Sequence, residues 1–153
     1  MITSLPIQRG ITMKLTTRLL SVLLSVAAIS SQAHAYYQAS GNDSAIVSAM
    51  ESHRRVDFVE GSDMEVIQVL PDDTNGNQHQ KWVVRLSNGK TMQAVYNSDM
   101  CPRVPVQVGD RVAMGGMFLW TNQGGLLHWL HHDPRGNRPD GYVLLNGVYY
   151  CKD

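Results

Sequence analysis

Short runs of alternating hydrophobic and polar residues, separated by turn dipeptides, constrain the fold of this chain more than any other feature of its sequence. The segment HQKWVVRL places Trp82 and Val84 on one side and Lys81 and Arg85 on the other. This spacing of two is typical of a β-strand with one buried face. The dipeptide Asn88-Gly89 follows and favours the tight turn of a β-hairpin. The pattern therefore predicts antiparallel strands.

The remaining runs predict a mainly β domain with one helix. Asn42 or Asp43 can cap a short amphipathic helix across residues 44–54. Further strands are predicted in DMEVIQVL, KTMQAVYN, VGDRVAMGGMFLW and LLHWLHH, and Asn146-Gly147 separates YVLL from VYYC as a terminal hairpin. About five main strands, one N-terminal helix and a C-terminal hairpin suit a small OB-like Greek-key barrel, with a β-sandwich as the alternative.

The first 35 residues have the arrangement of a secretory signal peptide. A short basic segment with Lys14 and Arg18 precedes the apolar run LLSVLLSVAAI, and Ala33 and Ala35 are small residues at the positions that a signal peptidase reads. The run is too short to cross a bilayer comfortably. We expect cleavage after residue 35 and export to the periplasm or the medium, which leaves a single domain at 36–153. A retained N-terminal anchor is the alternative.

The charge of the exported part disfavours one class of partner. The whole chain has 13 basic and 13 acidic residues. Three of the basic residues and none of the acidic ones lie in the first 35 positions, so residues 36–153 hold 10 basic against 13 acidic residues, a formal charge of −3. A protein that contacts many phosphates needs a basic surface. Strong nucleic-acid binding is therefore not expected, and neither is a transmembrane span in the exported domain.

Both cysteines, Cys101 and Cys151, lie in the part that we expect to be exported. In an oxidising compartment the simplest interpretation is one disulfide, and no CxxC motif supports redox catalysis. Closing a loop of about 50 residues contributes about 4 kcal/mol in the chain-entropy model. The sequence thus predicts a disulfide that fixes the C-terminal strand.

A succession of segments carries a resemblance to a known family. LPDDTNGNQHQKWVVRL, YNSD, PRVPVQVGDRV, HWLHHDPRGN and GYVLLNG follow one another as in domain-of-unknown-function family 3465. The resemblance extends across residues 45–150 and implies a small exported bacterial protein with no established activity. The family pattern has histidine where this chain has Tyr96 and Arg138, so these two positions are not counted among the candidate ligands.

The segment HWLHHDPRGN concentrates candidate site residues, namely His128, His131, His132, Asp133 and Arg135. Along a straight strand His128 and His132 would share one face about 13 Å apart, with His131 on the other face, until the Asp-Pro step ends the strand. That separation is too large for one metal ion with bonds of about 2 Å. A shared site therefore requires the chain to turn near His131.

Three interpretations of this segment remain open. In the first, a divalent metal, best fitted by zinc, makes the protein a metal-dependent hydrolase of the phosphodiesterase or nuclease type. Its candidate ligands are His79, His128, His131, His132 and Asp133. In the second, which we prefer to the hydrolase, the protein is a binding module for a small anionic or oligomeric ligand. Its candidate contacts are His79, Asn97, His131, His132, Asp133 and Arg135. In the third, Asp133 only accepts backbone N–H groups of its own turn.

Two other polar segments are candidates for the same site. LPDDTNGNQHQ resembles a calcium-binding loop only superficially, because no glutamate follows at the twelfth position, and a polar hairpin loop between the first two strands is the simpler interpretation. This loop supplies His79 and, as an alternative ligand, Asp73. Asn97 and Asp99 follow the third strand and either cap the turn before Cys101 or add to the site.

Overall fold

The structure, a computed structural model, describes residues 42–73 and 76–152. The predicted signal peptide, residues 1–35, lies outside the described residues. Within these ranges one helix, α1 (Ser44–Ser52), precedes seven strands. The strands are β1 (Val56–Asp73), β2 (His79–Arg85), β3 (Thr91–Asn97), β4 (Arg111–Thr121), β5 (Gly124–His128), β6 (Tyr142–Leu145) and β7 (Val148–Tyr150).

The strands form one sheet in the order β1-β2-β3-β5-β4-β6-β7, and β1 also pairs with β4. The first five strands therefore close into a ring, in which β3 and β5 are a parallel pair among antiparallel ones. The predicted mainly β fold with one short helix is confirmed, and the five-strand ring is compatible with the OB-like Greek-key barrel. The terminal hairpin is also present, with Asn146 and Gly147 both at positive φ, as its two-residue turn requires.

Strand β1 is longer than the predicted DMEVIQVL segment because it pairs with two neighbours. Its first part, which begins at Val56, pairs with β4, its second part pairs with β2, and Glu65 pairs with both. A register shift between Gly61 and Met64, where Asp63 has a φ of 60°, interrupts the pairing with β4 as a β-bulge does. A bulge bends its strand, and the bent β1 closes the ring because one part of it pairs with β4 and the other with β2.

The core consists of the buried face of each ring strand together with one face of α1. In β2 and β3 every second residue is buried, which is the alternation that the sequence predicts. The largest fully buried side chains include Ile46 of α1, Trp82, Tyr96, Phe118 and Leu127. A ring of two-faced strands with this apolar filling gives a rigid frame for residues at the strand ends.

The N-terminus of α1 is tied to the β2–β3 turn by a buried carboxylate. Asp43, which is 5% exposed, accepts hydrogen bonds from the backbone N–H and the hydroxyl of Ser87. The side-chain oxygen of Asn42 accepts the N–H of Ser44 instead. The helix ends at Ser52 rather than at the predicted residue 54, because His53 takes a left-handed conformation with a φ of 52°.

Cys101 and Cys151 form the predicted disulfide, with Cα atoms 5.5 Å apart, a normal separation for such a bond. It joins the segment after β3 to the residue after β7. Helix α1 has nine residues, and in the described ranges no helix reaches the length and apolarity that crossing a bilayer requires.

Strand β5 ends at His128, earlier than the predicted end at the Asp-Pro step. Trp129 has a φ of 62°, a left-handed conformation outside the β region, and β5 ends at the residue before it. The turning backbone packs so closely on Gly116 of β4 that a Cβ atom there would lie 2.5 Å from the His128 carbonyl oxygen. The chain turns at Trp129 because glycine in the neighbouring strand leaves room for its backbone.

Candidate functional site

A cavity of about 490 Å³ lies where β2 begins, β3 ends and β5 ends. Antiparallel register pairs His79 at the start of β2 with Asn97 at the end of β3, so these two residues are adjacent. The turn at Trp129 brings the following loop to the same place. The sequence-predicted residues that line this cavity are His79, Asn97, His128, His131, Asp133 and Arg135.

Two of the cavity histidines are close neighbours. The ring centroids of His79 and His128 lie 6.1 Å apart, with the ring planes inclined by 46°. Burial lowers the pKa of His128 below its ordinary value, and repulsion by His79 and His131 lowers it further. In the absence of a ligand the structure therefore favours the neutral form of His128.

His131 is the buried histidine of the cavity, with 4% of its surface exposed. Its Nδ1 atom lies 2.7 Å from the carbonyl oxygen of His132. Because a carbonyl can only accept, Nδ1 carries the hydrogen, and in the neutral ring Nε2 is the acceptor. The ring packs against Trp129 at a centroid distance of 4.5 Å, and the backbone N–H of Gly141 donates to the His131 carbonyl at 2.9 Å.

Two arginines add positive charge to the lining. Arg135 is exposed, whereas the guanidinium carbon of Arg138 lies 4.3 Å from the ring centroid of Trp129, in a cation–π contact. The indole N–H of Trp129 is buried without a hydrogen-bond partner among the described residues. Arg138 and Trp129 were not predicted as site residues. The position of Arg138 in the same polar loop as Arg135 is the signal that could have revealed it.

The carboxylate of Asp133 organises the loop. It accepts the backbone N–H groups of Arg135 at 3.3 Å, Asn137 at 2.7 Å and Arg138 at 3.1 Å, as the turn interpretation of this residue requires. Burial acts to raise its pKa, but these hydrogen bonds and the charge of Arg138 lower the pKa below its usual range. Asp133 lines the cavity as a carboxylate, and its oxygen atoms already accept three backbone N–H groups of the loop.

The other predicted candidates have different positions. His132 is not part of the cavity lining, and its backbone N–H donates to the Cys151 carbonyl at 3.0 Å. Asp99 accepts the N–H of Gln78 at 2.8 Å. The side-chain oxygen of Asn97 accepts the N–H groups of the two residues before Cys101, so Asn97 caps this turn, and the residue also lines the cavity. Asp73 pairs with His79 in the β1–β2 register and is not a lining residue.

The arrangement of ligand atoms bears on the metal interpretation. Atoms bound to one zinc ion at about 2.0–2.3 Å lie about 3.5–4 Å from one another. Within residues 42–73 and 76–152, one group of three His, Cys, Asp or Glu residues has ligand atoms within 4.8 Å of one another. It consists of Cys101, His132 and Cys151, and not of the histidines of the cavity.

Comparison with known proteins places the chain in a family. The family model described as protein of unknown function (DUF3465) matches residues 26–151. The chain belongs to this family. No curated protein and no solved structure matches it. The description of DUF3465 specifies no activity, so the chemistry of the cavity has to indicate what this DUF3465 protein does.

Proposed function

We propose that this DUF3465 protein is a binding module that holds a small anionic ligand in its cavity. One observation carries the proposal: among the residues that the structure describes, three histidines and two arginines line the cavity together with one carboxylate, that of Asp133. Two arginines against this one carboxylate give the described lining a formal charge of 2 − 1 = +1 while its histidines are neutral. A volume of about 490 Å³ is within the range of small-molecule sites.

Each lining group has a defined part in anion binding. Arg135 extends a guanidinium group that can form two parallel hydrogen bonds to a carboxylate, sulfate or phosphate group. Arg138 is held against Trp129, so its planar donor group loses less conformational entropy when the ligand binds. Asn97 adds a neutral side-chain amide to the lining. His128, which is neutral without a ligand, can take up a proton when an anion approaches.

A metal-dependent hydrolase at the same cavity is the alternative function, and the geometry supports it less well. Its candidate ligands His79, His128 and His131 do not form a group with ligand atoms within 4.8 Å of one another, and His132 lies outside the lining. These side chains would have to rotate to meet one ion. An anion requires no such convergence, because its charge interacts with cations all around the cavity.

Export is part of the same proposal. We propose residues 1–35 as a cleaved signal peptide and residues 36–153 as a single domain that acts in the periplasm or outside the cell. The disulfide between Cys101 and Cys151 supports this location, since such bonds form and persist in oxidising compartments.

Titration with sulfate tests the anion site. Arg135→Ala and Arg138→Ala are each expected to weaken sulfate binding by about tenfold or more, because a hydrogen bond to a charged group contributes about 1.5–3 kcal/mol. The measurement is the shift of backbone amide NMR signals at constant ionic strength. Arg55→Ala is the matched control, since it removes the same charge from an exposed ion pair with Asp57. Sulfate shifts that do not saturate, or equal weakening by Arg55→Ala, would contradict the proposal.

A further inference from the structure

A second group of ligating side chains lies outside the cavity lining. Cys101, His132 and Cys151 each place one ligand atom within 4.8 Å of the others. Cys101 is 8% exposed, and His132 and Cys151 are half-buried, so the group is largely shielded from solvent. The anion-binding proposal uses none of these three residues.

Backbone contacts hold the three residues together independently of the disulfide. The N–H of His132 donates to the carbonyl oxygen of Cys151 at 3.0 Å. The segment that follows Cys101 is anchored where Val104 exchanges two hydrogen bonds with the buried side chain of Gln80, at 2.9 and 2.8 Å. These hydrogen bonds remain possible when the sulfur–sulfur bond is reduced. They keep His132 beside Cys151 and limit the movement of the segment that carries Cys101.

The chemistry of this group changes with its redox state. While the disulfide is intact, neither sulfur is a thiolate, the form of cysteine that binds metal ions. After reduction, two thiolates and one imidazole make a ligand set that zinc sites use together with an open fourth position. Ligand atoms in such a site are about 3.5–4 Å apart. Here they all lie within 4.8 Å of one another, and reduction frees the two bonded sulfur atoms to move apart to this spacing by side-chain rotation.

We propose that the reduced chain binds one zinc ion through Cys101, Cys151 and His132, and that formation of the disulfide releases this ion. A dithiol reductant transfers two electrons and two protons to the disulfide, which yields two thiols and an oxidised reductant. Zinc then displaces the two thiol protons. In the reverse direction the two thiolates give two electrons to a disulfide oxidant by thiol–disulfide exchange, the sulfur–sulfur bond forms, and zinc keeps one ligand of three.

Cobalt(II), a spectroscopic substitute for zinc, tests the site. The purified chain is reduced with a dithiol, freed of reductant under nitrogen and titrated with cobalt(II). We expect one ion per chain, a thiolate-to-cobalt charge-transfer absorption and displacement by zinc, and no such absorption in the disulfide form. Loss of a residue that only hydrogen-bonds to a metal ligand lowers metal affinity about 10–100-fold. Loss of a ligand itself, in His132→Gln, should therefore lower the affinity for cobalt(II) by about 100-fold or more. His53→Gln, at the exposed end of α1 and outside both groups of residues, is the control and should leave the affinity unchanged.

Each result decides for or against the zinc site. A reduced, folded chain without the charge-transfer absorption overturns the proposal, and so does equal affinity in the chain with His132→Gln. If the reduced chain unfolds without metal, recovery of its near-ultraviolet circular dichroism on addition of zinc supports the proposal, and failure to recover overturns it. None of these results depends on whether sulfate binds in the cavity.

Discussion

Replacement of both cysteines by serine, Cys101→Ser with Cys151→Ser, is expected to lower the free energy of unfolding by about 4 kcal/mol. The disulfide spans 50 residues of sequence, and the loss of this crosslink releases conformational entropy in the unfolded chain. Domains of this size have about 5–15 kcal/mol of stability in total, so the variant should remain only marginally folded. The measurement is urea unfolding followed by circular dichroism.

The control for this experiment is the oxidised chain with His132→Gln. This substitution leaves the crosslink in place, so its unfolding midpoint should stay close to that of the unaltered chain. A loss of less than about 1 kcal/mol in the double serine variant would contradict the expected contribution of the crosslink. The same loss in the variant with His132→Gln would show that the imidazole, rather than the bond, stabilises this region.

Gly141→Ala is expected to disrupt the loop that forms the cavity. A Cβ atom on Gly141 would overlap the carbonyl oxygen of Trp129 and lie 2.8 Å from the backbone nitrogen of His131. Neither atom can move without opening the turn at Trp129. Insertion of a methyl group into such a packed position costs about 1–3 kcal/mol, and here we expect the upper end together with loss of sulfate binding. Urea unfolding and sulfate titration measure the two effects.

Gly136→Ala is a matched control in the same loop. Gly136 has a φ of 62°, and a Cβ atom there would meet no other atom within 4 Å. The substitution should cost about 1–2 kcal/mol of backbone strain and leave the packing around Trp129 unchanged. Sulfate binding should therefore survive Gly136→Ala and not Gly141→Ala. Equal behaviour of the two variants would contradict the role of the close approach at Gly141.

Most of the ring could be predicted because its strands have one buried and one exposed face. The alternation of Trp82 and Val84 predicts β2 from its own residues, and the dipeptide Asn88-Gly89 predicts the turn that follows it. The sequence does not predict the first part of β1, because this part pairs with β4 and the register shift between Gly61 and Met64 interrupts the alternation. The alternation of buried and exposed residues predicts the bounds of a strand well only when the strand pairs with the same neighbours along its whole length.

Several of the residues that line the cavity can be predicted from the sequence, but their arrangement in space cannot. His79 and Asn97 meet because of the β2–β3 register, which follows from the predicted hairpin. The turn at Trp129 depends on close approach to Gly116 and Gly141, and no local signal announces contacts over such sequence distances. His131 and His132 therefore have separate surroundings, one in the cavity and one beside the disulfide, although they are consecutive in the chain.

The pKa of His128 couples anion binding in the cavity to proton uptake by its imidazole. Burial and repulsion by His79 and His131 lower this pKa in the empty cavity, whereas an anion favours the charged imidazole and raises it. Between the two values the imidazole is neutral without the anion and protonated with it. Sulfate affinity should therefore rise as the pH falls, by at most about tenfold per pH unit for each proton taken up.

Proton exchange on binding is the most direct measurement of whether the cavity holds an anion among its histidines. Sulfate keeps its charge near neutral pH, so any exchanged proton comes from the protein or the buffer. Calorimetric titration in two buffers of different ionisation enthalpy counts the protons. We predict net uptake of protons with sulfate, and loss of most of this uptake in the chain with His128→Gln. Binding without proton uptake, or with proton release, would contradict anion binding at these histidines.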